Sequence, residues 1–139
     1  MKVIQLSPML YRANCHCGAV EIEVEAPDEI ECESCNCSMC ARAGFLHLIV
    51  PASKFRLVKG EGLLTTYTFN TGVAQHRFCS VCGIKVFYIP RSNPDGFDVN
   101  VRCLEPKPRE VRIRSFDGLH WEQHAHTLAH LSRELTTIP

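Results

Sequence analysis

The chain has 139 residues, with fifteen basic side chains against fifteen acidic ones, no formal net charge and a pI near 7. That length makes one domain with its own buried core, and 45% apolar against 22% charged residues is a globular composition. No apolar stretch approaches the roughly 20 residues that span a bilayer, and the basic excess or arm with which nucleic-acid binders hold phosphates is absent, so neither a membrane nor a nucleic acid is expected as a partner.

In chain order, Met1 to Tyr11 holds one charge and no apolar run of signal-peptide length. The first cysteine pair follows in Cys15-His16-Cys17. Ala19 to Ala26 alternates strictly, Val20, Ile22 and Val24 against Glu21, Glu23 and Glu25, which predicts a half-buried strand. Pro27-Asp28 turns the chain toward the densest cluster, Cys32-Glu33-Ser34-Cys35-Asn36-Cys37-Ser38-Met39-Cys40. Phe45 to Val50 predicts a more deeply buried strand that Pro51 ends. Phe55 to Lys59 and Leu64 to Phe69 flank Gly60-Glu61-Gly62, a spacing that predicts a hairpin.

After the turn Asn70-Thr71-Gly72, Val73 to Phe78 leads into Cys79-Ser80-Val81-Cys82-Gly83 and the apolar run Ile84 to Ile89 leaves it, which sets this cysteine pair between two strands. Pro90 to Gly96 has the composition of a loop. Phe97, Val99 and Val101 alternate with Asp98, Asn100 and Arg102, and Val111, Ile113 and Ser115 with Arg112, Arg114 and Phe116; both predict strands. Beyond Asp117-Gly118, Leu128, Leu131 and Leu135 recur at helical spacing. The expectation is a single, mainly β domain over residues 1–139, with a helical tail over about 122–136.

Eight of the nine cysteines lie in the three clusters. An odd count, no secretion signal and pairs only one or two residues apart argue against a disulfide framework, since such short loops strain the bond. Thiolate is a soft ligand suited to zinc, and closely spaced cysteines can turn toward one tetrahedral ion. Reduced cysteines in turn place the chain in the cytoplasm. If Cys15, Cys17, Cys79 and Cys82 share an ion, it joins the first strand to the middle of the sheet, and four thiolates leave no open position: a structural site. Cys35-x-Cys37-x-x-Cys40 instead supplies three ligands from one short loop, which leaves a fourth position for water, a substrate oxygen or a thiol. Three thiolates give the site a net charge of about −1, which suits thiol activation better than strong polarisation of water. Cys32 either closes this second site as a fourth ligand or is a small buried residue following Ile30 and Glu31 in a strand.

Other side chains carry weaker signals. His16, wedged between two ligands, is expected beside the ion or in solvent. His76 faces either a sheet surface or the catalytic pocket. His120, His124 and His126 are expected to be exposed histidines rather than a third metal site. Arg42 either recognises a substrate carboxylate or is a solvated loop arginine. Tyr67, Phe69, Phe87 and Tyr88 suit the core or a pocket wall, with the Tyr88 hydroxyl near the site. Trp121 is expected to anchor the tail, and Cys103 to sit in the core.

The motifs Cys15-His16-Cys17-Gly18, Cys35-Asn36-Cys37-Ser38-Met39-Cys40 and Phe78-Cys79-Ser80-Val81-Cys82-Gly83 together resemble the glutathione-dependent formaldehyde-activating enzyme family. Ile49-Val50-Pro51-Ala52-Ser53-Lys54-Phe55, Thr65 to Thr71, Ala74-Gln75-His76 and Pro90 to Pro94 resemble its centromere protein V branch, and the likeness runs from about Cys15 to Trp121. The resemblance implies an Mss4-like fold of antiparallel sheets around zinc, with two ions per chain. Cys15, Cys17, Cys79 and Cys82 would bind the structural ion and Cys35, Cys37 and Cys40 the catalytic one. It also implies carbon–sulfur lyase or thiol-adduct chemistry on a small thiol such as glutathione or its aldehyde adduct, S-(hydroxymethyl)glutathione. Cys32 stands outside the family's three-cysteine motif. The competing expectation is a non-catalytic, zinc-stabilised binding module, with a chromatin-associated role ranked behind it.

Overall fold

The computed structural model describes residues 8–134. Its elements are β1 (Pro8–Asn14), β2 (Glu21–Pro27), β3 (Glu29–Cys35), helix α1 (Ser38–Ala43), β4 (Leu46–Pro51), β5 (Phe55–Lys59), β6 (Leu64–Tyr67), β7 (His76–Cys79), β8 (Phe87–Tyr88), β9 (Gly96–Asn100), β10 (Leu104–Glu105), β11 (Glu110–Phe116) and helix α2 (Trp121–His124). The strands form a four-stranded sheet ordered β10-β1-β2-β5, a five-stranded sheet ordered β11-β3-β4-β9-β8, and the pair β6-β7. The protein is mainly β, as its alternating patterns predict. All pairings among these strands are antiparallel except β11 with β3, which run parallel from Glu110 beside Glu29 to Phe116 beside Cys35.

β1 is absent from the sequence-based expectation, yet it pairs with β2 along its whole length. Tyr11 lies opposite Val24 and Ala13 opposite Ile22, all four fully buried. The Tyr11 hydroxyl escapes the cost of burial by donating to the Pro27 carbonyl at 2.7 Å. On the five-stranded sheet the period of two separates the strands into faces. Ile30, Cys32, Leu48, Val50, Val99 and Phe87 turn into a core shared with the four-stranded sheet. At roughly 1.5–3 kcal/mol for each large apolar side chain removed from water, this contact holds the two sheets together. Glu33, His47, Asp98 and Tyr88 come from alternating or cross-strand positions on the opposite face.

The hairpin expected around Gly60-Glu61-Gly62 does not form. Gly60 has φ of 96°, and a Cβ there would strike the backbone of Ala19 and Val20. The chain then makes a 3-10 turn over Glu61–Leu63. β5 joins β2, whereas β6 joins β7 in a different sheet. The glycine therefore serves a close approach of two segments rather than a hairpin reversal. The run Ile84 to Ile89 is also shorter as a strand than its composition suggests, since only Phe87–Tyr88 pairs in the sheet, with an isolated bridge between Ile89 and Gln75.

The tail is one turn of α-helix followed by a 3-10 helix over Ala125–Ser132. Leu128 and Leu131, three residues apart, suit the three-residue repeat of a 3-10 helix, and Leu128 is buried. Leu135 lies outside the described residues. Asn93, itself buried, binds this segment down: its amide donates to the Leu128 carbonyl and the Ser132 hydroxyl, both at 2.9 Å. Ser132 in turn donates to Asp95 at 2.6 Å.

Candidate functional site

The sulfurs of Cys15, Cys17, Cys79 and Cys82 lie within 4.8 Å of one another. The first pair comes from the loop between β1 and β2, the second from the end of β7 and the turn after it. Each pair is followed by a glycine in the left-handed region, Gly18 at φ 80° and Gly83 at φ 79°. These bends let the Gly18 amide reach the Cys15 carbonyl at 3.1 Å and the Gly83 amide the Cys79 carbonyl at 2.8 Å. Sulfur separations of 3.6 Å for Cys15–Cys17 and Cys17–Cys79 approach the edge of about 3.8 Å of a tetrahedron with metal–sulfur bonds of about 2.3 Å. The donor set thus fits a soft tetrahedral ion and is consistent with zinc. Amide donation adds to this: Val20 N–H points at the Cys15 sulfur at 3.2 Å, and the amides of Cys17 and Ile84 hold the Cys82 thiol down at about 6.

The second group, Cys35, Cys37 and Cys40, also lies within 4.8 Å. Cys35 ends β3, Cys37 caps α1, and Cys40 sits in the first turn of that helix. The Cys40 amide donates to the Cys37 sulfur at 3.2 Å. Hydrogen bonds from Cys35 and Cys40, helped by this amide, push the Cys37 thiol strongly down and favour a thiolate there. The helix itself, absent from the sequence-based expectation, stops at Gly44 in the left-handed conformation.

Cys32 does not join this group. It lies three positions before Cys35 on the same strand, an odd offset that turns it to the other face, where it is fully buried in the core. Burial pushes its thiol up to about 11. No histidine of the described residues joins either sulfur group.

The three cysteines open into a cavity of about 430 Å³, a size within the usual range for small-molecule sites. Its wall includes Ile49, Phe69, Trp121 and Leu128, with Arg91 against the Trp121 ring at 3.8 Å. The segment after β11 closes one side. Gly118 packs so tightly on Cys35 that any side chain there would strike the sulfur. Asn36 fixes this segment by donating to Asp117 at 3.1 Å and accepting from the Leu119 amide at 3.0 Å.

Polar groups that sequence patterns did not single out line the same cavity: Glu33, His47 and Asp98. His47 Nδ1 lies 2.6 Å from Asp98 Oδ2, with both side chains buried. Arg114 donates to Glu33 at 2.7 Å from the parallel neighbour β11. Burial raises the Glu33 carboxyl, and Arg114 opposes that rise. His76 enters the cavity rather than an exposed sheet surface. Its ring stacks between Tyr88, with centroids 4.9 Å apart, and Phe69, at 5.4 Å. Lys85 Nζ lies 2.7 Å from His76 Nδ1 and 3.8 Å from the centre of the Tyr88 ring. Burial lowers His76 to about 4, with the Lys85 charge acting the same way, and burial lowers Lys85 to about 8. The one available signal was a charged or ionisable residue inside an apolar strand, as at His47 and Asp98.

The remaining candidates divide plainly. Tyr88 is buried at the cavity, its hydroxyl 3.4 Å from His47 Nδ1, and Phe87 is core. Phe69 lines the cavity although partly exposed, and Tyr67 is half-exposed beside it. Arg42 is exposed and donates to the Ser38 carbonyl at 2.9 Å, and it is not among the lining residues. His16 and His126 are exposed. His120 and His124 gather on Asp117 at 2.7 and 3.8 Å. Cys103 packs against the core from a 3-10 turn rather than from a strand.

Comparison with known proteins adds a family and a solved structure that this chain resembles. The sequence pattern described as glutathione-dependent formaldehyde-activating enzyme matches residues 10–116. A crystal structure of a Rhodobacter sphaeroides protein is 42% identical, over 74% of this chain and 99% of that one, with a TM-score of 0.65.

Proposed function

The chain belongs to the glutathione-dependent formaldehyde-activating enzyme family, and from that premise we propose that it is a zinc-dependent carbon–sulfur lyase or thiol-adduct enzyme acting on a small thiol such as glutathione or its adduct S-(hydroxymethyl)glutathione. The observation that carries this reading is a group of three sulfurs, not four, opening into a cavity of small-molecule size. Cys35, Cys37 and Cys40 would hold a zinc ion there, and Cys15, Cys17, Cys79 and Cys82 a second, structural one. Bound at the three-cysteine site, zinc supplies positive charge that favours the thiolate form of a thiol substrate.

The chain's own residues do the rest. Cys40 and its amide organise Cys37, while the Asn36 clamp and Gly118 keep Cys35 at the cavity wall. Ile49, Phe69, Trp121 and Leu128 limit water around the reacting carbon. In the forward direction the sulfur attacks the aldehyde carbon to give a hemithioacetal, and the lyase direction reverses this. Nine cysteines without a disulfide support a reducing compartment, the cytoplasm.

The test is isotope exchange between labelled formaldehyde and its glutathione adduct, followed by carbon NMR. Zinc-loaded protein is expected to speed the exchange above its uncatalysed rate, and Cys37→Ser to abolish the gain. An exchange rate that the wild-type protein leaves unchanged refutes the assignment.

A further inference from the structure

Among the described residues, three buried side-chain atoms have no partner, all on residues lining the cavity: the ring nitrogens His47 Nε2 and His76 Nε2, and Asp98 Oδ1, the second oxygen of the carboxylate that holds His47. Buried ring nitrogens are ordinarily satisfied, so two orphaned ring nitrogens in one cavity call for a ligand that supplies the missing bonds. Their other nitrogens are held by groups of opposite hydrogen-bonding sense. Asp98, 2.6 Å from His47 Nδ1, can only accept as a carboxylate, so His47 Nδ1 carries the proton and Nε2 presents a lone pair. Lys85, 2.7 Å from His76 Nδ1, can only donate as an ammonium, so His76 Nδ1 is the acceptor and Nε2 carries the proton. The Tyr88 ring keeps both in place, 5.8 Å from His47 and 4.9 Å from His76 between centroids. One of the two orphaned nitrogens is thus an acceptor and the other a donor.

We propose that these residues form a complementary pair for the addition, His47 Nε2 taking the proton of the thiol and His76 Nε2–H binding the oxygen of the aldehyde. The assignment rests on the reading of function above. The thiol S–H bond breaks as its proton passes to His47 Nε2. The sulfur pair forms the S–C bond, and the carbonyl π pair moves to oxygen, where the His76 N–H stabilises the developing charge. The His47 imidazolium then returns the same proton to that oxygen, so thiol and aldehyde become a hemithioacetal with no other reactant. In the lyase direction His47 removes the hydroxyl proton and delivers it to the departing sulfur. Asp98 and Lys85 are positioning residues that set the two tautomers.

Nitrogen-15 histidine NMR of the zinc-loaded wild-type protein reads the tautomers without any turnover. His47 is expected protonated at Nδ1 and bare at Nε2, and His76 the reverse; finding either tautomer exchanged overturns the pair. In the exchange assay, His47→Ala is expected to lower kcat about 100-fold or more at little change in KM, with part of the loss restored by added imidazole. His76→Phe keeps a ring in the stack and is expected to lower kcat by about 100-fold through loss of the donor. Wild-type acceleration that survives either substitution within about threefold overturns the proposal and leaves the enzyme reading intact. A wild-type protein that gives no acceleration sinks the enzyme reading itself, and this assignment with it.

Discussion

His76 is enclosed by Tyr88, Phe69 and Lys85, so adding a proton to it costs more in the folded chain than in the unfolded one. Its affinity falls from the ordinary 6.5 to about 4, by burial first and the Lys85 charge second. Between those values the unfolded chain binds the proton and the folded chain does not, so stability falls as pH drops through that window; at pH 7 both forms are neutral and nothing is lost. The loss by pH 4 is on the order of 1–2 kcal/mol once solvent screening is allowed for. Urea titrations at pH 7 and pH 4.5 should show a smaller acid loss in His76→Phe than in the wild type, and equal losses would contradict this account. The same scale explains Cys32. Strand parity sends it into the core beside Ile30, where a small apolar side chain is all the site requires.

Among the elements, β3 and the segment after β11 shape the three-cysteine site between them. β3 delivers Glu33 and Cys35 to one face, and β11, parallel to it, brings Arg114 beside Glu33 and carries the chain onward to Gly118. Gly118→Ala must push that segment away from Cys35, with an expected loss of roughly 1–3 kcal/mol. Metal bound at this group should weaken in parallel. Gly62→Ala is the control, since nothing lies within 4 Å of a Cβ at that position. Denaturant midpoints and metal content measured on both variants check this, and equal behaviour would show that the contact on Cys35 is unimportant. The parallel pairing was not legible in the sequence. Val111 and Ile113 alternate as in any strand, but the direction of pairing depends on where a distant segment returns.

At the scale of the whole molecule, the two sulfur groups differ in what they tie together. The four-cysteine group links the β1–β2 loop to the end of β7, segments far apart in sequence, and Cys79 is itself fully buried. Metal bound there would be coupled to folding. The three-cysteine group closes only a local loop. Elemental analysis is expected to give two ions per chain, falling to one in Cys37→Ser with the fold retained, whereas Cys79→Ser should lose its cooperative unfolding transition. Equal collapse of both variants would contradict this division.

Alternation along Ala19 to Ala26 and Phe97 to Val101 was enough to foresee a mainly β chain, and cysteine spacing the three-sulfur group, whereas the meeting of Cys15 and Cys17 with Cys79 and Cys82 stood as a condition that the family resemblance filled in. Strand faces and closely spaced ligands follow from local geometry. Local pattern failed at Gly60, where a close approach to Ala19 and Val20 splits the expected hairpin between two sheets. It failed again at His47 and Asp98, because a polar residue in an apolar strand does not reveal which distant residue satisfies it. By itself the sequence determined which sulfurs could meet and what class of fold would hold them. Only the tertiary structure decided that Cys32 stays out, that Glu33, His47, His76 and Asp98 converge on a cavity, and which nitrogens face it. Those outcomes depend on register between strands far apart in the chain, which no local pattern encodes.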